Sequence, residues 1–252
     1  MTQNIQRRQP PRDLPLRDLP LRDLRVAITG GTSGLGLALL RQLADAGASV
    51  AFVARDAARL ARIAASLPGT HGFPGDVAEK SDIYPLATAI AGALGGLDVL
   101  INNASDLGSV PLALLGDTDC EDLARALATN LLGPFRLTKA LLGALAASAR
   151  EGRGGVVVNI SSDAAVTPYP GWGAYGASKA ALHHLSRIWN LELVEAGIHV
   201  LSHDPGDMDT PLHALAVPDA DPAQLRSPDD SARELIAVIA AALPRRPVAL
   251  VS

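Results

Sequence analysis

The sequence predicts an α/β domain built on one doubly wound, mostly parallel sheet, and three observations carry that prediction. From Arg25 onward, short β-rich apolar runs alternate with longer stretches rich in alanine and leucine, as in repeated strand–helix units. A glycine cluster separates the first strand candidate from the first helical stretch, and polar clusters follow several later strands, where ligands of such sheets bind. The length of 252 residues allows one substantial core.

Residues 1–24 read as a separate tail. Beginning at Arg12, the pentad RDLPL RDLPL RDL runs almost three times. Pro15 and Pro20 break any helix there, and a few leucines make no core alone. The expectation is a disordered tail, with a docking arm across a subunit interface as the alternative, and a single domain over residues 25–252. Strands are expected at Val26–Thr29, Ser49–Ala54, Thr70–Pro74, Val99–Ile101, Val156–Ile160 and Ile198–Ser202, with Val248–Val251 as a seventh. Between them, helices are expected at Leu35–Ala46, Ala57–Ser66, Ser81–Leu94, Glu121–Ala149, Ala174–Ala196 and Asp229–Leu243. The stretch from Met208 to Ser227 reads as a long loop.

Composition narrows the function. Hydrophobic residues make up 48% and charged residues 19%, as in an ordinary globular domain. A net charge of -4 gives no basic face for nucleic acid or an anionic membrane, so neither is expected as a partner. The single cysteine, Cys120, supports neither an internal disulfide nor a cysteine zinc site, and no metal is expected. With no signal-like or membrane-length apolar run, the expected location is the cytoplasm.

The first marked junction is Thr29-Gly30-Gly31-Thr32-Ser33-Gly34-Leu35-Gly36. Glycines let the backbone turn tightly against a pyrophosphate, while the helix N-terminus offers free N–H groups and a favourable dipole. The spacing TGxxxGxG resembles the short-chain dehydrogenase/reductase family, which has a Rossmann-type fold. The resemblance makes Gly30, Thr32, Ser33, Gly34, Leu35 and Gly36 candidate cofactor contacts, and runs from about Arg25 to Leu243.

The second strand ends in Val53-Ala54-Arg55-Asp56. An acidic residue at that point would accept from an adenosine ribose, whereas arginine pairs with a 2′-phosphate. Ala54 stands at the acidic position of NAD users and Arg55 at the basic position of many NADP users, so NADP(H) is favoured over NAD(H). The competing view makes Arg55 a solvated charge and Asp56 a helix cap. Asp76-Val77 resembles the family's adenine contact, although Asp76 reads equally well as a helix cap. Asn102-Asn103-Ala104-Ser105 resembles the family's NNAG segment, with serine in place of the glycine, and assigns Asn103 and Ala104 to the cofactor. Asp204-Pro205-Gly206-Asp207-Met208-Asp209-Thr210 resembles PGxxxT, which assigns Pro205, Gly206, Met208 and Thr210 to the nicotinamide end.

Tyr175 and Lys179 lie four residues apart at the start of a helical stretch, on one face. A free tyrosine titrates near about 10, so proton transfer near neutrality calls for a cation that stabilises the phenolate. Lys179 is one of only three lysines, with Lys80 and Lys139. Ser162, thirteen residues before Tyr175, ends the fifth strand and is preferred to Ser161 on spacing. Its hydroxyl would orient a substrate oxygen. Asn130 precedes Gly133-Pro134 inside an apolar helix, a local conflict that marks a kink. The family places its asparagine in a proton relay beside the lysine; the plainer alternative is an amide satisfying backbone groups at the kink.

The resemblance thus implies NADPH-dependent reduction of a ketone or aldehyde to an alcohol, reversibly, with Ser162, Tyr175, Lys179 and Asn130 as the catalytic set. Tyr175 and Lys179 would also contact the cofactor. Non-redox epimerase or cyclase chemistry, or a redox-sensing regulator on the same fold, are the alternatives. Tyr169, Trp172, Leu212, His213, Leu215 and Val217 are candidates for substrate choice, with His213 equally readable as a surface residue. Family members assemble through the helices corresponding to Glu121–Ala149 and Ala174–Ala196, so a homodimer or homotetramer is expected.

Overall fold

The computed structural model describes Leu19 and residues 21–244. Six strands, β1 (Arg25–Thr29), β2 (Ser49–Ala54), β3 (Thr70–Pro74), β4 (Val99–Asn102), β5 (Gly155–Ile160) and β6 (Ile198–His203), form one parallel sheet in the order β3-β2-β1-β4-β5-β6. This is the Rossmann-type doubly wound arrangement. The expected seventh strand, Val248–Val251, lies outside the described residues.

Alternation along the strands divides the core in two. Val26 and Ile28 of β1, with Val50 and Phe52 of β2, face α1 (Gly34–Asp45) and α8 (Pro228–Ala242) through Leu39, Leu40, Leu43, Leu235, Ile236 and Ile239. Between β2 and β3, α2 (Ala57–Ser66) joins that layer through Leu60. Ala27, Ala51 and Val53 point the other way, toward Ile83, Leu86 and Ile90 of α3 (Lys80–Leu94), Leu137, Leu141 and Leu145 of α5 (Gly133–Arg150), and Trp189 of α6 (Gly173–Leu193). Each fully buried leucine or isoleucine contributes about 2 kcal/mol relative to exposure. Among the described residues, no helix is long and apolar enough to cross a membrane.

Four expectations need correction. The helix expected at Glu121–Ala149 is three joined pieces: α4 (Cys120–Leu127), a π-helical turn at Ala128–Leu132 and α5. Such single π turns recur at functional sites. The helix expected to reach Ala196 ends its α-helical part at Leu193 and tightens to a 3₁₀ turn over Val194–Ala196. The Met208–Ser227 loop contains α7 (Pro211–Ala216), started by Pro211 and capped by Thr210, and a 3₁₀ turn at Pro222–Gln224. The folded body also begins before Arg25. Leu21 and Leu24, from the last copies of the pentad, are buried in the core, and Asp23 N–H donates to the Gly47 carbonyl at 3.0 Å. Residues 1–18 and 20 lie outside the described residues.

At the end of the sheet opposite the candidate site, the fully buried Asp98 carboxylate joins two arginines. Arg25 Nη2 is 2.7 Å from Oδ1 and Arg153 Nη2 2.8 Å from Oδ2, and Ser148 Oγ also donates to Oδ1. Burial raises the Asp98 pKa, but hydrogen bonds from Arg153, Arg25 and Ser148 outweigh it and hold the carboxyl well below the usual range.

Candidate active site

The strand order reverses between β1 and β4, and a cleft of about 540 Å³ opens beyond the carboxyl ends of the strands. The glycine turn forms one wall. Gly30 and Gly34 have φ of 70° and 48°, where a side chain is strained, and a Cβ at Gly36 would strike the Gly30 carbonyl. Ser33 caps α1 without a side-chain hydrogen bond, and no acidic residue occupies the first turn. The leading N–H groups of α1 are therefore available to an anionic group in the cleft.

The loop after β4 is fastened to this turn. Thr29 Oγ1 accepts from the Asn103 and Ala104 N–H groups at 3.0 Å each, and Asn103 Nδ2 donates to the carbonyls of Thr29 and Gly30 at 3.0 and 3.2 Å. Beneath it, Asn102 Nδ2 donates to Asn159 Oδ1 at 2.8 Å and Thr138 Oγ1 at 3.1 Å, tying β4 to β5 and α5. The adjacent amides thus bridge neighbouring strands.

Arg55 lines the cleft with a side chain 72% exposed, its guanidinium 4.0 Å from Asp76 Oδ2. Asp56 caps α2, accepting from Arg59 N–H at 2.9 Å, as the competing view of this pair held. Asp76 likewise lines the cleft while its Oδ1 accepts from Ala78 N–H at 2.9 Å, and Val77 beside it is buried.

Tyr175 and Lys179 are both buried at the start of α6 and both line the cleft. Lys179 Nζ donates to the Ile160 carbonyl at 2.8 Å and lies 5.5 Å from the Tyr175 ring centroid. Burial pushes Lys179 down to about 8. Burial also pushes Tyr175 up to about 12, an effect that the nearby Ser162 and Ser105 hydroxyls only partly offset. Burial dominates the Tyr175 pKa in the protein by itself, because desolvating the phenolate costs more than its neighbours return.

Ser162 stands in the cleft at the end of β5, with its hydroxyl donating to Asp163 Oδ1 at 3.0 Å and accepting from Ala164 N–H at 3.2 Å. Asp163 also accepts from Tyr169 OH at 2.7 Å, and these hydrogen bonds lower its pKa. Trp172 meets Tyr175 edge-on at 5.6 Å, and Leu107, Leu212 and Ala216 complete an apolar cluster around the Tyr175 ring. His213 faces the cleft rather than solvent: its side chain is 15% exposed, with Nε2 4.0 Å from Asp207 Oδ1.

Pro205, Gly206, Met208 and Thr210 close the cleft over the glycine turn, where a Cβ at Gly34 would lie 3.0 Å from Thr210 Cγ2. The Thr210 hydroxyl accepts from His213 N–H at 3.2 Å and so starts α7. All the candidate residues line the cleft except Gly36, which is filled against Gly30, Asn130, and Leu215, which is exposed.

Asn130 is placed apart from the other candidates. It sits fully buried in the π turn, behind the cleft, with Oδ1 accepting from Asp106 N–H at 2.8 Å. Its Nδ2 donates to the Asp106 carbonyl at 2.7 Å and to Ser178 Oγ at 2.8 Å, which leaves its amide no free proton. Ser178 Oγ in turn donates to the Tyr175 carbonyl at 2.7 Å. The amide therefore satisfies backbone groups of the loop after β4, not those at the kink. Sequence reasoning missed Asp106 and Ser178 because nothing in linear spacing joins positions 106, 130 and 178. It gave Ser105 no role, although a hydroxyl replacing the family's glycine was itself a signal.

Residues 25–221 match the short chain dehydrogenase family. L-fucose dehydrogenase from Mus musculus is 33% identical over 198 residues, which cover 78% of this chain and 70% of the relative. Among solved structures, 3-ketoacyl-(acyl-carrier-protein) reductase from Brucella melitensis complexed with NADH superposes with a TM-score of 0.79 at 27% identity, covering 85% of this chain and 90% of that one. A short chain dehydrogenase from Escherichia coli CFT073 complexed with NADPH gives a TM-score of 0.82 at 28% identity over 89% of this chain and 93% of that one. Cleft, sheet order and sequence likeness agree, and the chain belongs to the short-chain dehydrogenase/reductase family of oxidoreductases.

Proposed function

We propose that this chain is an NADP(H)-dependent reductase converting a ketone or aldehyde to an alcohol, reversibly. The observation that carries the proposal is the burial of Tyr175 and Lys179 together at the cleft floor, with Lys179 Nζ anchored on the Ile160 carbonyl. The residues present fit a dinucleotide. The open N-terminus of α1 and the close Gly30–Gly36 approach suit a pyrophosphate, and Arg55, with no carboxylate at Ala54, suits a 2′-phosphate. Bound there, the nicotinamide supplies or accepts the hydride.

In the reducing direction, Tyr175 donates its proton to the substrate oxygen. A pKa pushed up to about 12 keeps that proton in place at neutral pH. Lys179, at about 8, is mostly an ammonium at pH 7 and stabilises the phenolate left after donation. Ser162, in the cleft at the end of β5, orients the substrate oxygen once its hydroxyl turns from Asp163. Asn130 acts as a positioning residue, since its amide is consumed in holding Asp106 and Ser178. Exposed Leu132, Ile188, Leu191 and Val194, on the π turn and around α6, support assembly into a dimer or tetramer through these helices.

The test is NADPH oxidation against a carbonyl panel, with NADPH and NADH binding titrated separately. Tyr175→Phe should abolish turnover and leave NADPH binding within about twofold of wild type; a fully active Tyr175→Phe protein would sink the mechanism.

A further inference from the structure

Ser105 stands at the position where the NNAG pattern carries glycine. It lines the cleft, yet its Oγ is shielded from solvent and has no hydrogen-bond partner. A buried hydroxyl left unpaired gives up its hydration with no bond in return, so its presence beside the chemistry calls for an explanation.

The two serines at the Tyr175 hydroxyl are not equivalent. Both Ser105 and Ser162 draw the Tyr175 pKa down. Ser162 directs its hydrogen to Asp163 Oδ1 at 3.0 Å and receives the Ala164 N–H, so its donor is committed. Ser105 has its hydrogen uncommitted. Its placement is also fixed from behind. Asn130 grips both backbone groups of Asp106, the residue next to Ser105, and with the same amide holds Ser178, whose hydroxyl holds the Tyr175 carbonyl. One buried side chain therefore registers the Ser105 loop against the Tyr175 turn.

We propose that Ser105 is a further catalytic residue, whose hydroxyl donates a hydrogen bond to the oxygen that gains negative charge as substrate and Tyr175 exchange a proton. The role rests on the reductase reading above. A donor aimed at developing charge contributes to the transition state more than to substrate binding, so its loss falls on kcat.

The experiment compares Ser105→Ala, Ser105→Thr and Ser162→Ala with wild type in NADPH oxidation, using a carbonyl compound that wild type reduces, and in the reverse oxidation of the product alcohol. Ser105→Ala should lower kcat about tenfold or more, judged against known losses of single oxyanion donors, with KM for the carbonyl and Kd for NADPH within about twofold. In alcohol oxidation, the pH at which kcat rises should move upward, because the phenolate loses a donor. Ser105→Thr, which keeps the hydroxyl, should restore most of the rate and return the pH profile. A wild-type kcat and unshifted profile in Ser105→Ala would overturn the proposal while leaving the reductase reading intact. A joint loss of kcat and NADPH affinity that Ser105→Thr does not rescue would assign Ser105 to loop structure instead. Failure of wild type to oxidise NADPH with any carbonyl would overturn the reductase reading, and the role of Ser105 with it.

Discussion

Replacing Lys179 with methionine should stabilise the fold at neutral pH and remove turnover, and the stabilisation should reverse in alkali. Lys179 is fully enclosed, and its ammonium has one hydrogen bond, to the Ile160 carbonyl at 2.8 Å. Burial lowers its pKa from the ordinary 10.5 to about 8, which corresponds to about 3 kcal/mol of cost for keeping it charged at pH 7. Methionine has similar length and no charge; it forfeits the Ile160 hydrogen bond, worth about 1 kcal/mol. The net expectation is a gain of about 2 kcal/mol at pH 7. Because the folded pKa lies below the unfolded one, the unfolded chain holds the proton more tightly between pH 8 and 10.5, and wild type gains stability as pH rises through that window. Near pH 10.5 the charging cost has faded to a few tenths of a kcal/mol, and Lys179→Met should be the less stable protein by roughly 0.5 kcal/mol. Urea unfolding of both proteins at pH 7, 9 and 10.5, with NADPH oxidation on the same samples, measures this directly. A methionine variant less stable than wild type at pH 7, or a difference that does not shrink with pH, would refute the reasoning.

Three further outcomes follow from particular groups. Reductive turnover should decline as pH rises through about 8, where Lys179 loses the charge that supports the Tyr175 phenolate; a rate constant flat from pH 7 to 9.5 counts against that role. Arg55→Ala should weaken NADPH binding about tenfold or more and leave NADH within about twofold, by fluorescence titration, since only the 2′-phosphate differs; equal losses for both would remove Arg55 as the discriminating residue. Asp98→Ala should lose about 3–5 kcal/mol at pH 7, because Arg25 and Arg153 are left around a partly buried hole. The carboxyl is held below its unfolded pKa, so its contribution is present above about pH 4 and fades as pH falls through the lower folded value. Thermal unfolding at pH 7 and pH 3 should therefore show the gap between wild type and Asp98→Ala narrowing in acid.

Much of the fold was legible because its signals are local. The strands Ser49–Ala54 and Thr70–Pro74 appear with the expected bounds, and the others within a residue or so, since β-rich runs bounded by turns need little tertiary context. The cleft lining was legible for the same reason. In a doubly wound sheet the residues directly after each strand converge, so position pointed to the segments holding Gly30, Arg55, Asp76, Asn103, Ser162 and Pro205, and the family resemblance singled out these residues within them. The expected long helix at Glu121–Ala149 was legible only as a conflict around Asn130; that the conflict resolves as a π turn depends on what the turn packs against.

By itself, then, the sequence determined the sheet, the glycine turn and the pairing of Tyr175 with Lys179, because each is written in short-range periodicity or spacing. Tertiary structure alone decided the environment those residues meet. It buried Lys179 and Tyr175 enough to move their pKa values in opposite directions, gathered Arg25, Asp98, Ser148 and Arg153 into one ionic cluster, and joined Asp106, Asn130 and Ser178 across the back of the cleft. Desolvation and hydrogen-bond partners are properties of groups close in space, and these groups lie tens of residues apart in the chain.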